Sequence, residues 1–380
     1  MALDFSEPLA PARMRALLEG IDVAVNAVGI FRERASQTFE AVHTEGPRQL
    51  FRACIDAGVS RVVQVSALGA DHEAASAFHR TKRAADDALL ALPLCGVVAL
   101  PSLVYGEGGA SARLFDTLAI LPVLWLPNGG TQRVQPIHVD DACEALVALI
   151  EGRQVGRVAL VGPHAIPLAD FIRVLGRRIG GVEPRIAAVP RPLLRAATRL
   201  AGARIAWLHA ESLAMLERGN CASSDEVTRL LGRTPRAYED FIDRTAVPAR
   251  RAAIALGCAE PLLRLSIAFV WVLSGVVSLG LYPVEESLSM LAQCGVPEGL
   301  RWPALVASSL LDILLGVLTL RSRHPNLWIA QAILILAYTA ILTLFIPALW
   351  LHPFGPLSKN LPMLAGIALL YLHDRARWTT

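Results

Sequence analysis

The sequence predicts an α/β domain built on a parallel sheet, followed by an all-α bundle of about four transmembrane helices. Three observations carry this. Short β-branched runs alternate with helix-spaced apolar residues over the first hundred or so positions, a βαβ rhythm. Four long apolar stretches follow residue 260. Across the 380 residues 54% are hydrophobic and only 18% charged, with a mean hydropathy of +0.46. An ordinary soluble domain has about a quarter of its residues charged, so much of this chain need not face water.

Asp22 to Gly29 reads DVAVNAVG, an apolar run ending in a small-residue turn, as a buried parallel strand does. From Phe39 to Gly58 the apolar residues Val42, Leu50, Phe51, Cys54 and Ile55 recur at helical spacing, and Gly58 closes the helix. Arg61 to Val65 is a second strand, followed by Ser66 and Ala67. Lys82 to Leu92 is helical, and Val97 to Leu100 is a third strand running into Pro101 and Ser102. In parallel sheets of this kind the ligand lies across the carboxyl ends of the strands. Those ends are Asn26 to Gly29, Ser66 to Ala67 and Pro101 to Val104.

The same residues carry a family resemblance. NAVG, VHTEGPRQLFRACIDAGVSRVVQVSALGA, FHRTK, LPSLVYGEGG and IHVDDACEAL stand in the order of motifs of the atypical and extended short-chain dehydrogenases. The chain is similar over roughly residues 1 to 245 to the NmrA-like proteins and to the nucleotide-binding accessory subunit of respiratory complex I. This implies a Rossmann-like parallel sheet and NAD or NADP as cofactor. By the resemblance Asn26, Ala27 and Gly29 approach the dinucleotide through their backbones, and Asp4 flanks the adenine. Ser66 faces the nicotinamide side, Lys82 hydrogen-bonds the nicotinamide ribose, and Pro101, Ser102 and Val104 line the nicotinamide. Lys82 and Ser66 are then the catalytic candidates.

Three departures from the family pattern matter. The Gly-rich turn after the first strand, which holds the pyrophosphate at a helix N-terminus, is not found. The expected fold is therefore an N-terminally truncated Rossmann-like sheet lacking its first βαβ unit. Either the start is misplaced, with about fifty further residues upstream of Met1, or the chain does not hold a dinucleotide in the normal way; the misplaced start is the favoured expectation. Second, Phe78 stands where the family has the tyrosine of Tyr-x-x-x-Lys, and phenylalanine cannot donate a proton. Adjacent His79 is an alternative donor, although helix neighbours point about 100° apart. Third, Leu100 replaces an arginine that many relatives carry before the proline.

Other polar residues have structural readings. Asp140 or Asp141 is expected to cap the helix from Ala142 to Ile150, and His138 to be a packed, hydrogen-bonded residue. Asp225 and Glu226 are expected to open another helix, and Arg173, Arg177, Arg178 and Arg185 to form a solvated face or, beside a membrane, to meet anionic headgroups. The net charge of +3 gives no case for nucleic acid. Six dispersed cysteines suit neither a zinc site nor a disulfide framework, and are expected as reduced, mostly buried thiols. No basic segment followed by an apolar core marks a cleaved signal peptide at the N-terminus.

In the C-terminal part the apolar stretches run from Leu262 to Tyr282, Trp302 to Leu320, Leu327 to Trp350 and Leu361 to Leu372, the last extended by Phe354 to Leu357. Crossing a bilayer takes roughly 20 apolar residues. Trp302, Trp328, Trp350 and Trp378 flank them, as at membrane interfaces. Arg250, Arg251, Arg264, Arg321, Arg323, Arg375 and Arg377 gather on one side, whereas Glu285, Glu286, Glu298, Arg301 and Lys359 lie on the other, so both termini are expected on the cytoplasmic side of the inner membrane. Asp312 is an acid inside a span, and hence a functional candidate unless it sits on a polar helix face, hydrogen-bonded to Ser308, Ser309 or a neighbouring helix. This part, with its HPFGPLSKNLP segment, resembles the DoxX-like membrane domain, which is found fused to such dehydrogenases in bacterial proteins.

The domains expected are an NAD(P)-binding one over residues 1–165, a substrate-side part over 166–250 and a DoxX-like transmembrane domain over 257–376. Two functions compete. One is an NAD(P)-linked oxidoreductase working with a quinone or a lipid-borne carbonyl in the bilayer. The other is a non-catalytic nucleotide-binding scaffold, sensor or assembly factor of a membrane complex. A permease role has less support, since there is a single intramembrane acid and no evident internal repeat.

Overall fold

The computed structural model describes residues 4–5, 10–34, 37–180, 183–189, 219–353 and 355–378. Met1 and Phe354 lie outside them. The chain divides into two compact units, Met1–Ile254 and Ala255–Thr380.

The first unit opens with α1 (Pro11–Leu18) and β1 (Val23–Asn26). A π-helical turn, Glu40–Glu45, leads into α2 (Gly46–Ala57), then β2 (Arg61–Val65), α3 (Ala77–Leu90) and β3 (Cys95–Pro101). Next come β4 (Val104–Tyr105), α4 (Ala110–Ala119), β5 (Val123–Pro127), β6 (Arg133–Val134), β7 (Ile137–His138) and α5 (Val139–Glu151). The remaining elements are β8 (Gly156–Leu160), β9 (Ile166–Pro167), α6 (Leu168–Gly180), β10 (Arg185–Val189) and α7 (Asp225–Leu231).

Strands β1, β2, β3 and β8 form one parallel sheet in that order, with Asn26 opposite Gln64 and Val65 opposite Ala99. Val62, Val63, Val97, Val98 and Ala99 are fully buried because apolar layers cover both faces of the sheet. Phe51, Cys54 and Leu89 belong to one layer, and Ile137, Ala145, Leu149 and Leu160 to the other. Each such side chain contributes roughly 1.5–3 kcal/mol by leaving water. Gly58, at φ 74°, ends α2 in a left-handed cap and gives its N–H to the carbonyls of Cys54 and Ile55.

Helix α3 starts five residues before the expected Lys82. Ser76 caps it by accepting the N–H of His79 at 3.2 Å, so Phe78 and His79 fall in its first turn. At α5 the expected aspartate cap gives way to His138, whose Nδ1 accepts the Asp140 N–H at 3.3 Å. Asp141 is fully buried, and accepts from the Arg236 N–H at 2.6 Å and the Arg233 guanidinium at 2.8 Å. Of the six cysteines, all free thiols, Cys54 alone is buried, against the expectation for most of them.

The second unit holds most of α8 (Val247–Val276, prolonged by a π-helical turn to Leu281), α9 (Val284–Gln293), α10 (Glu298–Arg321), α11 (Pro325–Phe345) and α12 (Asn360–Trp378). Three helical segments, Val247–Leu281, Glu298–Arg321 and Pro325–Phe345, are long and apolar enough to cross a membrane. Helix α12 is not among them, since its last turns carry charge. It packs into the bundle through Ile367 and Leu370 against Trp271, Trp328 and Ile335. Residues 355–357 do not prolong it, and α9 lies between the first two apolar spans.

Leu262, Leu265, Phe269, Leu344 and Leu361 are more than half exposed on this unit, whereas Glu260, Arg264, Asp312, Gln331 and Asp374 are buried. That pattern is the reverse of a water-soluble domain and suits a lipid surround. A Cβ on Gly275 would meet the Ser309 carbonyl at 2.4 Å, and one on Gly316 would meet Val272 at 2.6 Å, so these glycines let α8 and α10 touch backbone to backbone.

Candidate functional site

A cavity of about 340 Å³ lies past the carboxyl ends of β1, β2 and β3. Ala27, Gly29, Ser66, Lys82, Pro101, Ser102 and Val104 all line it. Ile30, Phe31, Leu68, Phe78 and Leu103 make most of the remaining wall apolar. Asn26 lies beneath it, 1% exposed. Its Nδ2 donates to Gln64 Oε1 at 2.7 Å and its Oδ1 accepts the Val28 N–H at 3.1 Å, which shapes the turn after β1. Asp4 is exposed and is not part of the cavity wall.

Lys82 Nζ donates to the carbonyls of Val28 at 3.2 Å and Val65 at 3.0 Å, straddling the ends of two neighbouring strands. An ammonium has three hydrogens, so one is left for a ligand after these two bonds. A Cβ at position 29 would sit 3.1 Å from Nζ, and glycine leaves that approach open. Burial pulls the Lys82 ammonium down to about 8, with Asp86 one turn along the helix acting the other way.

Asp86 is fully buried and accepts the Ser66 hydroxyl at 2.5 Å on Oδ2, whereas its Oδ1 has no hydrogen-bond partner among the described residues. Burial raises this carboxyl to about 7, opposed by the Ser66 hydrogen bond and by Lys82 and Arg157. His43 Nε2 accepts the Ile30 N–H at 2.9 Å, which leaves Nδ1 as the hydrogen-bearing nitrogen facing Thr81 Oγ1 at 3.2 Å. Burial first, then Lys82, drives His43 down to about 3, so a neutral imidazole ties the cavity loop to α3.

Phe78 sits in an aromatic nest. Phe31 stacks on it at 5.4 Å and 12°, with His43 edge-on at 5.2 Å and Phe39 at 6.0 Å. His79 also lines the cavity, which wraps around the first turn of α3, and its Nδ1 lies 3.0 Å from Ser76 Oγ. Sequence reasoning missed Asp86 and the tethering role of His43. The i, i+4 spacing from Lys82 was a signal for Asp86. For His43 the partner is a loop N–H thirteen residues back, which no local pattern displays.

A second cavity of about 690 Å³ is lined by Glu107, His138, Asp140, Arg178, Arg236, Asp240 and Arg250 among others. Its charges largely neutralise one another, with Arg236 at 3.3 Å from Asp140, Arg178 at 3.6 Å from Asp240, and Arg250 at 2.6 Å from Asp116. In the second unit Glu260, His373 and Asp374 bring ligand atoms within 4.8 Å of one another. The Arg264 guanidinium already supplies the positive charge there, 2.8 Å from both Glu260 and Asp374.

The first cavity offers a ligand a buried cationic donor with a hydrogen to spare, a glycine that leaves access to it, and an apolar wall. Residues 6–162 match the model of the NAD dependent epimerase/dehydratase family, and residues 268–368 match the DoxX-like family. A ceramide reductase of Caulobacter vibrioides is 30% identical over 185 residues, 48% of this chain and 57% of that protein. The mitochondrial NADH dehydrogenase [ubiquinone] 1 alpha subcomplex subunit 9 of Arabidopsis thaliana is 27% identical over 199 residues, 50% of this chain and 48% of that protein. The chain thus spans about half the length of the curated relatives it matches. A solved nucleoside-diphosphate-sugar epimerase of Staphylococcus aureus shares the fold, with a TM-score of 0.50 and 15% identity over 63% of this chain and 81% of that one. The chain therefore joins an NAD dependent epimerase/dehydratase-family domain, over residues 6–162, to a DoxX-like membrane domain over residues 268–368.

Proposed function

We propose that the first unit binds NAD or NADP and acts as an oxidoreductase on an apolar carbonyl compound or a quinone drawn from the bilayer. The observation that carries this reading is the Lys82 ammonium, held by two strand-end carbonyls in an apolar cavity with one hydrogen to spare. Lys82 binds the nicotinamide ribose. The backbones at Asn26, Ala27 and Gly29 pass under the dinucleotide, Pro101, Ser102 and Val104 line the nicotinamide, Ser66 flanks it, and Asp4 serves the adenine end. When bound, the nicotinamide supplies or accepts a hydride. The apolar wall of Phe31, Phe78, Leu68 and Leu103 excludes water and receives the substrate's hydrocarbon. A relative named ceramide reductase supports a lipid-like substrate.

Within this reading residues 1–165 are the nucleotide side, 166–250 the substrate side and 257–376 the membrane anchor. The arginine-rich ends of the bundle set both termini on the cytoplasmic face of the inner membrane. The test is redox turnover of bound nucleotide by protein extracted from its own membranes, offered a panel of quinones and long-chain carbonyls. Oxidation of the reduced nucleotide with a member of the panel supports the proposal; none with any member counts against it.

Phe78 favours a second reading, a nucleotide-binding scaffold, sensor or assembly factor of a membrane complex. The substitution keeps the ribose-binding lysine and removes the phenolic proton donor. Similarity to a protein named as a subunit of NADH dehydrogenase is in keeping with it. Nucleotide that binds without ever changing redox state would select this reading.

A further inference from the structure

We infer that Asp312 is a proton-exchange site inside the membrane bundle, reached from the charged end of that unit along a file of polar side chains. The inference concerns the second unit alone and does not depend on nucleotide chemistry.

Asp312 lies on α10 and is 7% exposed. Its Oδ2 accepts the hydroxyl of Ser274 on α8 at 3.0 Å, whereas its Oδ1 is enclosed and has no hydrogen-bond partner among the described residues. Tyr338 of α11 is the titratable group facing it, within electrostatic range. Among the described residues no cation accompanies it: the charged ones buried in this unit besides Asp312 are Glu260, Arg264 and Asp374. A carboxyl enclosed in hydrocarbon without a counter-charge holds its proton, and a proton is the ligand such a group takes up and releases.

The other buried acids behave differently. Asp374 receives Arg264 Nη2 on its two oxygens at 3.0 and 2.8 Å, and Trp328 Nε1 on Oδ2 at 2.9 Å. Glu260 accepts Arg264 Nε at 2.8 Å. These are fixed ion pairs, satisfied on the spot.

Between the two places the interior is not wholly apolar. Arg264 donates to the Thr319 carbonyl at 3.2 Å, and the Thr319 hydroxyl accepts from Gln331 Nε2 at 2.8 Å. Gln331 Oε1 in turn accepts Trp271 Nε1 at 2.9 Å. Trp271 is one turn from Ser274 along α8. Thr319 is two turns from Asp312 along α10, about 10 Å. Gln331 is two turns from Tyr338 along α11. Three helices therefore turn polar groups inward at matching heights, from the Arg264 cluster up to Asp312. The indole and amide N–H groups donate hydrogen bonds and do not relay a proton themselves, so the file serves as a polar foothold for the water that carries it.

Infrared spectroscopy of the full chain in lipid vesicles tests this. In an Asp86→Asn background, which removes the other buried protonated carboxyl, the carbonyl stretch of a protonated carboxylic acid should be present, shift down on transfer to D2O, disappear on adding Asp312→Asn and persist on adding Asp312→Glu. Asn keeps an acceptor for Ser274, so the bundle should stay intact. Gln331→Leu, which cuts the file, should keep the band and slow its D2O shift about tenfold, the rate equivalent of one lost hydrogen bond. The inference is overturned if the band survives in Asp312→Asn, if it never shifts in D2O, or if Gln331→Leu exchanges at the wild-type rate.

Discussion

Ser66 gives its hydroxyl hydrogen to Asp86 across 2.5 Å, beneath the cavity rather than into it. The serine's one donor is thereby committed to a fully buried carboxyl that lies one turn beyond Lys82. Any role for Ser66 toward a ligand then uses its oxygen as an acceptor, and Asp86 becomes the group through which the strand end and α3 are joined.

Asp86 is raised from an ordinary 3.8 to about 7, so the folded chain keeps a proton there that the unfolded chain has already lost. Its contribution to stability is complete below about 4 and disappears as pH climbs to about 7, at roughly 1.4 kcal/mol per unit. Asp86→Asn, which carries no titrating proton, should show stability rising relative to wild type across that window. Hydrogen exchange of the β2 amides at several pH values measures it.

His43 has the opposite sign. Its folded value of about 3 lies below the ordinary 6.5, so its contribution is present above 6.5 and is lost as pH falls toward 3. His43→Gln retains an acceptor for the Ile30 N–H and a donor for Thr81. It should flatten the acid-side loss of stability by about 1.4 kcal/mol per unit. Thermal unfolding of the first unit followed between pH 3 and about 6.5 reads the slope.

Phe78→Tyr puts a phenol four residues before Lys82, among Phe31, Phe39 and His43. Nucleotide affinity should change little. Turnover of an apolar carbonyl should rise about a hundredfold, the usual scale of a positioned general acid. Steady-state oxidation of reduced nucleotide distinguishes the two, and an unchanged rate favours the scaffold reading.

Arg264 holds Asp374 and Glu260 and stacks over Trp328 at 5.0 Å from the ring centroid. Arg264→Met strands two buried acids and should cost about 3–5 kcal/mol. Replacing Asp374 and Glu260 by leucine in the same chain should recover most of that loss. Denaturant titration in detergent measures both.

Strands β1, β2 and β3 were legible because β-branched residues dominate them, as in Val62 and Val63 or Val97 and Val98, which apolar layers bury on both faces of the sheet. The start of α3 was less so: its signal is a lone Ser76 cap, and the stronger helical pattern begins only near Lys82. His138 rather than an aspartate caps α5, because Asp141 is drawn inward to Arg233 and the Arg236 N–H, partners more than ninety residues away. Seven of the nine residues expected at the nucleotide site line one cavity, since strand ends in a parallel sheet converge by geometry. The hidden part is the polar layer under that cavity. Asp86 and His43 look like ordinary helical residues until the tertiary fold gives them partners. In the bundle, α9 is too short to register as an apolar span, and the interior file depends on the rotation of each helix.

The central claim is that Lys82 holds a nicotinamide nucleotide in this cavity. The most direct test is equilibrium binding of NADH and NADPH to the full chain purified from membranes, compared with Lys82→Met. The account predicts saturable binding by the wild type, weakened about tenfold or more in the variant, as the loss of a hydrogen bond from a charged donor implies. Saturable binding of equal strength in both proteins, or none in either, would contradict it.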